Sequence, residues 1–371
     1  MKKRIALFMH GGISGGINGQ GFPLITQLVN KLAVDFDVTV FSLAAFSEGF
    51  HADTYKAYCV KSNVKPSPFR WFSLIITFFR NYKIDRYDIL YSFWGYPMGT
   101  LVVALGKITN RPSVVNILGA ESANLSEIGY GHLRKFFSRR LVVWTCQRAT
   151  ELVAVSNSQL KLLRPYGVTR RATVIPWGVT KGLFKTASEL KLPLKIVHVA
   201  NLTPVKDQGT LLKAFKLIRE RIPSKLKVVG PDFLNGQIQK MAVALGLDGD
   251  VEFVGFVPHQ RISEYYYWAD VFMLTSLSEG QNNSITEAMM CGVLPVGTAV
   301  GILGDLGNEV GVVEQPRDHK TLANQLIRLY EQPAEWKRRQ QAAQAWAEEH
   351  DIDWTIKQIG SLLRNIQPAT K

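Results

Sequence analysis

Short continuous apolar runs recur along the chain, each followed by a stretch whose apolar positions fall at helical spacing. In the first half, runs at 4–9, 38–43, 89–93, 113–117 and 152–155 read as buried strands, and 23–33, 99–108 and 136–149 read as helices. That alternation predicts βαβ units on a parallel sheet. A breaker-rich stretch, IPWGVTKGL at 175–183, interrupts the rhythm, which restarts at 195–199. Helices are then expected at 208–221, 236–245 and 262–268, and strands at 225–229, 251–254, 271–275 and 293–296, with two terminal helices to follow. The pattern predicts an α/β protein of two Rossmann-like domains facing each other across a cleft: 1–180, 181–350, and a last helical segment 351–371 with Trp354, Ile359, Leu362 and Leu363 as its apolar face. Ligands of such sheets sit at the carboxyl ends of the strands, so the cleft is the expected site.

Composition narrows the class. With 371 residues, 46% apolar and 20% charged, the chain has the balance of a globular protein of about two domains. Three widely spaced cysteines, Cys59, Cys146 and Cys291, suit a reducing compartment and buried thiols. The opening MKKRIALFMHGG meets a glycine turn instead of a cleavage site and reads as a first strand, not a leader. No window approaches the roughly 18 apolar residues that span a bilayer. Charge is asymmetric: residues 1–180 hold 22 Lys+Arg against 9 Asp+Glu, residues 181–371 hold 22 against 21, so the net +14 divides as +13 and +1. A basic first half implies an anionic partner: a phosphorylated substrate, an acidic lipid surface or nucleic acid.

The densest chemistry lies in SEGQNNSITEAMMCGVLPV at 278–296, where Glu279 and Glu287 flank a polar loop that enters a short helix. Asn282, Asn283 or Ser284 can cap that helix, leaving its free N–H groups toward an anion and both carboxylates to accept hydroxyl hydrogen bonds. Ser284 and Glu287 also spell a capping box, in which the glutamate would return to the cap residue's own N–H. A glycine loop, HGGISGG at 10–16, follows the first strand without the G-x-G-x-x-G spacing of a dinucleotide site, which disfavours a nicotinamide enzyme. ANLTPVK at 200–206 brings Lys206 to the end of the first strand of the second half, where an ammonium can neutralise a diphosphate. Three D-x-D strings, at 35–37, 248–250 and 351–353, sit where solvated turns are expected, and no metal site is expected from them.

Together these segments resemble the retaining family-4 glycosyltransferases, glycosyl transferases group 1, which have the GT-B fold. The E-x7-E motif corresponds to Glu279 and Glu287, the G-R-L-x-P-x-K loop to ANLTPVK, and YSFWGYPMG, AVSNSQLKLLRPYGV with IPWGV, and VEFVGFVPHQRISEYYYWADVFMLTS follow in family order. The resemblance implies that a nucleotide-diphosphate sugar, UDP- or GDP-linked, is co-substrate, with no other cofactor. It places Lys206 on the diphosphate, Glu287 on the ribose, Glu279 on the transferred sugar, and amides of Asn282, Asn283 and Ser284 on the phosphates. Gly15 and Gly16 would close on the donor, Gly230, Phe256 and Val257 would lie near the base, and Trp94 and Glu121 on the acceptor side. The family's arginine is Asn201 here, so one cationic contact is missing. The last helix would cross back to the first domain.

The implied reaction is retaining transfer to a glycan or lipid-linked acceptor, in polysaccharide or glycolipid biosynthesis, in the cytoplasm or peripherally on the inner face of the membrane. Basic and aromatic residues at 131–144 and 68–80 could contact an anionic surface. A GT-B epimerase or phosphorylase is the alternative enzyme. A basic non-catalytic nucleic-acid or membrane-binding protein is the alternative of another class, but no nucleic-acid-binding signature accompanies the charge, and no nucleic-acid partner is expected.

Overall fold

The computed structural model describes residues 2–11, 13, 23–60, 68–181 and 192–367. The chain forms two compact units, one of Met1–Val155, Leu160–Ile175 and Thr355–Lys371, the other of Ser156–Gln159 and Pro176–Trp354.

Up to residue 175 the order is β1 (Arg4–Met9), α1 (Pro23–Asp35), β2 (Asp37–Ser42), β3 (Lys56–Cys59), α2 (Pro68–Asp85), β4 (Ile89–Phe93), α3 (Thr100–Thr109), β5 (Ser113–Ile117), α4 (Phe136–Arg148), β6 (Glu151–Ala154), α5 (Asn157–Leu163) and β7 (Thr173–Val174), all in the first unit but for the start of α5. The strands pair in parallel in the order β3-β2-β1-β4-β5-β6-β7. Strands β4 and β5 are buried along their whole length, as continuous apolar runs must be when helices cover both faces. On one face Phe8, Phe41 and Phe78 pack ring to ring at 5.1–5.7 Å. The edge strands β3 and β7 were not expected. KAYC is half exposed throughout and TV is two residues long, so neither carries a periodic apolar signal.

The second unit runs β8 (Leu194–Val199), α6 (Gln208–Arg219), β9 (Ser224–Val229), α7 (Gln237–Ala244), β10 (Val251–Gly255), α8 (Ile262–Trp268), β11 (Val271–Leu274), α9 (Asn283–Met290), β12 (Leu294–Thr298), α10 (Gly301–Leu306), β13 (Val312–Glu314), α11 (His319–Tyr330) and α12 (Pro333–Glu349). Its parallel sheet has the order β10-β9-β8-β11-β12-β13. Helix α6 shows how the sequence specifies packing. Asp207 caps it by accepting from Thr210 N at 3.2 Å, and Leu211, Leu212, Phe215 and Ile218, spaced three and four apart, are fully buried against the sheet. Each such side chain contributes about 1.5–3 kcal/mol on burial.

A last helix, α13 (Ile352–Asn365), begins in the second unit and from Thr355 onward belongs to the first. Asp351 starts it, accepting from Trp354 N at 2.7 Å while its carboxylate pairs with Lys181 at 2.9 Å. Lys3 ends it, its ammonium donating to the carbonyls of Leu363, Arg364 and Ile366.

Candidate functional site

In both sheets the strand order reverses once, between β1 and β4 and between β8 and β11. A doubly wound sheet opens a crevice for ligands at that point. In the second unit most residues that the sequence marked for the donor lie at carboxyl ends of strands, Asn201 and Lys206 after β8, Gly230 after β9, Phe256 and Val257 after β10, and Glu279 and Asn282 after β11, while Asn283, Ser284 and Glu287 lie in α9.

Lys206 and Glu279, 73 positions apart, meet at this switch point with Nζ to Oε1 at 2.5 Å. The same Oε1 accepts from Ser276 Oγ at 2.6 Å and Asn282 Nδ2 at 3.0 Å. Burial pushes the Glu279 carboxyl up, but Lys206 and the two neutral donors more than offset it and hold it below its ordinary value. The lysine loop is fixed from behind. Thr275 Oγ1 donates to the carbonyl of Asp207 at 2.9 Å, and Leu277 N to that of Val205 at 2.8 Å. Beneath them His198, fully buried, bonds the Met273 carbonyl through Nδ1 and accepts from Gln208, which also donates to the Asn201 carbonyl. Burial drives His198 down to about 4, so it is neutral near pH 7.

Asn282 is the cap of α9, accepting from Ile285 N at 3.1 Å with φ of 75°, a left-handed conformation that asparagine tolerates better than most residues. The capping-box expectation is corrected: Glu287 does not return to the helix start. Its Oε1 accepts from His259 Nε2 at 2.9 Å and its Oε2 from the Tyr266 hydroxyl at 2.8 Å. Ser284 contributes a hydroxyl to Tyr266, and Asn283 lies half-buried in the first turn. Phe256 is 52% exposed, whereas Val257 packs on the core. Gly230 is required for close approach: with φ of 141°, an added Cβ would lie 2.1 Å from the Ala200 carbonyl oxygen. Sequence reasoning missed His259, Tyr266, Ser276 and His198, because no local motif ties them to the glutamates.

In the first unit Trp94 ends β4 at φ of 70°, its ring 5.6 Å from that of His10 at the end of β1. Glu121 is a strut between loops. It is 1% exposed, and its carboxylate accepts main-chain N–H groups of Gly95 at 2.7 Å, Leu118 at 3.1 Å and Gly119 at 2.9 Å, tying the ends of β4 and β5 together. Gly15 and Gly16 lie outside the described residues. Three of the D-x-D aspartates pair with cations: Asp35 with Arg364, Asp37 with Arg4, and Asp250 with Arg219 and Lys225. Asp351, 6% exposed, is no solvated turn. Among the described residues no cluster of three or more His, Cys, Asp or Glu could hold a metal ion, and no helix is long and apolar enough to cross a membrane.

The chain is similar in structure to sucrose-phosphate synthase from Thermosynechococcus elongatus, with a TM-score of 0.82 over 98% of each chain at 19% identity. It is also similar to the Anabaena protein HepE, solved with UDP-glucose, with a TM-score of 0.74, covering 98% of this chain and 100% of that one at 20% identity. With two parallel, doubly wound sheets, this is a protein of the GT-B fold. Residues 24–181 match the profile described as Glycosyltransferase Family 4, and residues 193–332 match that of Glycosyl transferases group 1. The chain belongs to the group 1, family-4-like glycosyltransferases.

Among curated relatives it is 32% identical over 155 residues to the amylovoran biosynthesis glycosyltransferase AmsK of Erwinia amylovora, 39% of this chain and 38% of that one. It is 26% identical over 297 residues to the D-inositol 3-phosphate glycosyltransferase of Thermomonospora curvata, 70% of this chain and 64% of that one. The chain spans less than two thirds of the length of either relative.

Proposed function

We propose that the protein transfers a sugar, with retention of anomeric configuration, from a nucleotide-diphosphate sugar to a glycan or lipid-linked acceptor. The observation that carries this reading is the convergence of Lys206, Glu279 and the capped start of α9 on one switch point, with Glu287 in the same helix. Departure of a nucleoside diphosphate builds negative charge on phosphate oxygens while the anomeric carbon becomes cationic. Lys206 and the N–H groups at 282–284 are suited to the first, each preorganised donor being worth about 3 kcal/mol in a dry site. Glu279, kept ionised beside them, suits the sugar, and Glu287 suits the ribose hydroxyls. The leaving phosphate can take the acceptor proton, so the reading needs no separate base. Asn201 leaves Lys206 with a larger share of the diphosphate charge.

Peripheral attachment to an anionic membrane is part of this reading. Phe69 and Phe72 on α2 are 73% and 62% exposed, and Phe136 and Phe137 on α4 are 54% and 80% exposed beside Arg134, Lys135, Arg139 and Arg140. Flotation with anionic vesicles that survives charge reversal at those four cations would refute it.

For the reaction, purified protein is incubated with nucleotide sugars, with and without acceptors, and nucleoside diphosphate release is followed. Glu287→Ala and Lys206→Ala are each expected to abolish release. Full activity in both refutes the assignment, and sugar isomerisation without an acceptor would mark an epimerase.

A further inference from the structure

Each oxygen of Glu287 accepts a hydrogen bond from within the second unit. Tyr266, 1% exposed, holds Oε2 from the core side. His259 holds Oε1 from the solvent side; its side chain is 47% exposed against 12% for Glu287, so the ring can swing away while the carboxylate stays anchored. It begins the short turn His259–Arg261, three residues after Phe256.

The groups bearing on this carboxylate from the surrounding elements are His259, Tyr266 of α8 and the Cys291 thiol after α9. Burial pushes Tyr266 well above its ordinary value and Cys291 up to about 12, so neither changes charge near neutral pH. The neighbouring cation, Arg261, is paired with Glu264 at 3.0 Å. His259 therefore titrates alone in this group, and its hydrogen bond to Glu287 raises it above the ordinary imidazole value.

We propose that His259 is a latch on the nucleoside subsite: its ring holds Glu287 Oε1 from the solvent side, where a ribose hydroxyl would approach, and gives way to that hydroxyl, so that donor binding expels a proton. The inference rests on Glu287 as the ribose ligand. No covalent bond changes. The imidazolium gives up its carboxylate partner, returns toward its ordinary acidity and passes its proton to solvent. By linkage, donor affinity falls as pH drops through the range in which His259, bonded to Glu287, is protonated.

The test is titration calorimetry of the full chain with UDP-glucose, ADP-glucose and GDP-mannose at pH 6.5 in two buffers of different ionisation enthalpy. Sugar nucleotides carry no phosphate group that titrates near this pH. The wild type is expected to release a fraction of a proton, and His259→Asn none. At pH 6.5 the variant should bind about fivefold tighter, and the two should converge at pH 8.5. No release by the wild type, undiminished release by the variant, or weaker binding by the variant at both pH values overturns the latch. Glu287→Gln separates the two claims. If it binds as tightly as the wild type, the ribose assignment fails; if it binds weakly while the wild type releases no proton, only the latch fails. Failure of all three sugar nucleotides to bind the wild type overturns both.

Discussion

Replacing Lys206 by methionine keeps most of the apolar stem and removes the charge beside Glu279. The two side chains are 20% and 12% exposed, so solvent screens the pair little. Removing one partner of such a pair costs about 3–5 kcal/mol, and because Ser276 and Asn282 still donate to Oε1 the lower end, about 3 kcal/mol, applies at pH 7.5. A typical domain has about 5–15 kcal/mol, so the variant should remain folded. The pH dependence carries the sharper prediction. In the wild type the Glu279 carboxyl lies below its ordinary 4.5, so its stabilisation is present above that value and is lost as pH falls through the depressed one. Without Lys206, burial prevails and lifts the carboxyl above 4.5, so its ionised form destabilises at neutral pH and protonation relieves it. The deficit of Lys206→Met should therefore shrink from about 3 kcal/mol at pH 7.5 toward about 1 kcal/mol at pH 4, in urea unfolding curves of both proteins. Adding Glu279→Gln should recover most of the loss at pH 7.5. A deficit that stays constant across this range, or a double variant no more stable than the single one, would refute the account of a buried charge held by one cation.

Other outcomes follow from geometry. Gly178→Ala would place a Cβ 2.1 Å from the His350 carbonyl oxygen and the Asp351 carbonyl carbon, both backbone. A loss above about 4 kcal/mol in thermal melts is expected, against almost none for Gly249→Ala, which meets nothing within 4 Å. Glu121→Gln turns an amide donor toward main-chain N–H groups and should cost about 2–3 kcal/mol by chemical denaturation while leaving nucleotide-sugar affinity unchanged. Lys3→Met should cost about 1 kcal/mol and speed hydrogen exchange over the last turn of α13, with exchange elsewhere unaffected.

The alternation of apolar runs made most strands and helices legible, because a parallel sheet covered on both faces demands continuous apolar segments. It also placed Lys206 and Glu279 at strand ends, where the structure brings them into contact. The partners of Glu287 were not legible. His259 and Tyr266 stand 28 and 21 positions away, and their meeting depends on how α8 packs beside α9. The main-chain partners of Glu121 were not legible for a related reason: only the folded ends of β4 and β5 bring three N–H donors together on its carboxylate.

The division of α13 has a consequence for how such chains can be inherited. Because Thr355–Lys371 belongs with the first unit while its start is capped by Asp351 in the second, a single genetic crossover near residue 176 would join one parent's first sheet to the other parent's closing helix. Lys3 would then meet carbonyls it had not evolved beside. Viable hybrids between relatives require a second crossover close to residue 355, so the first unit is transmissible only as two separated pieces of coding sequence, and a shuffling library should be built with both junctions.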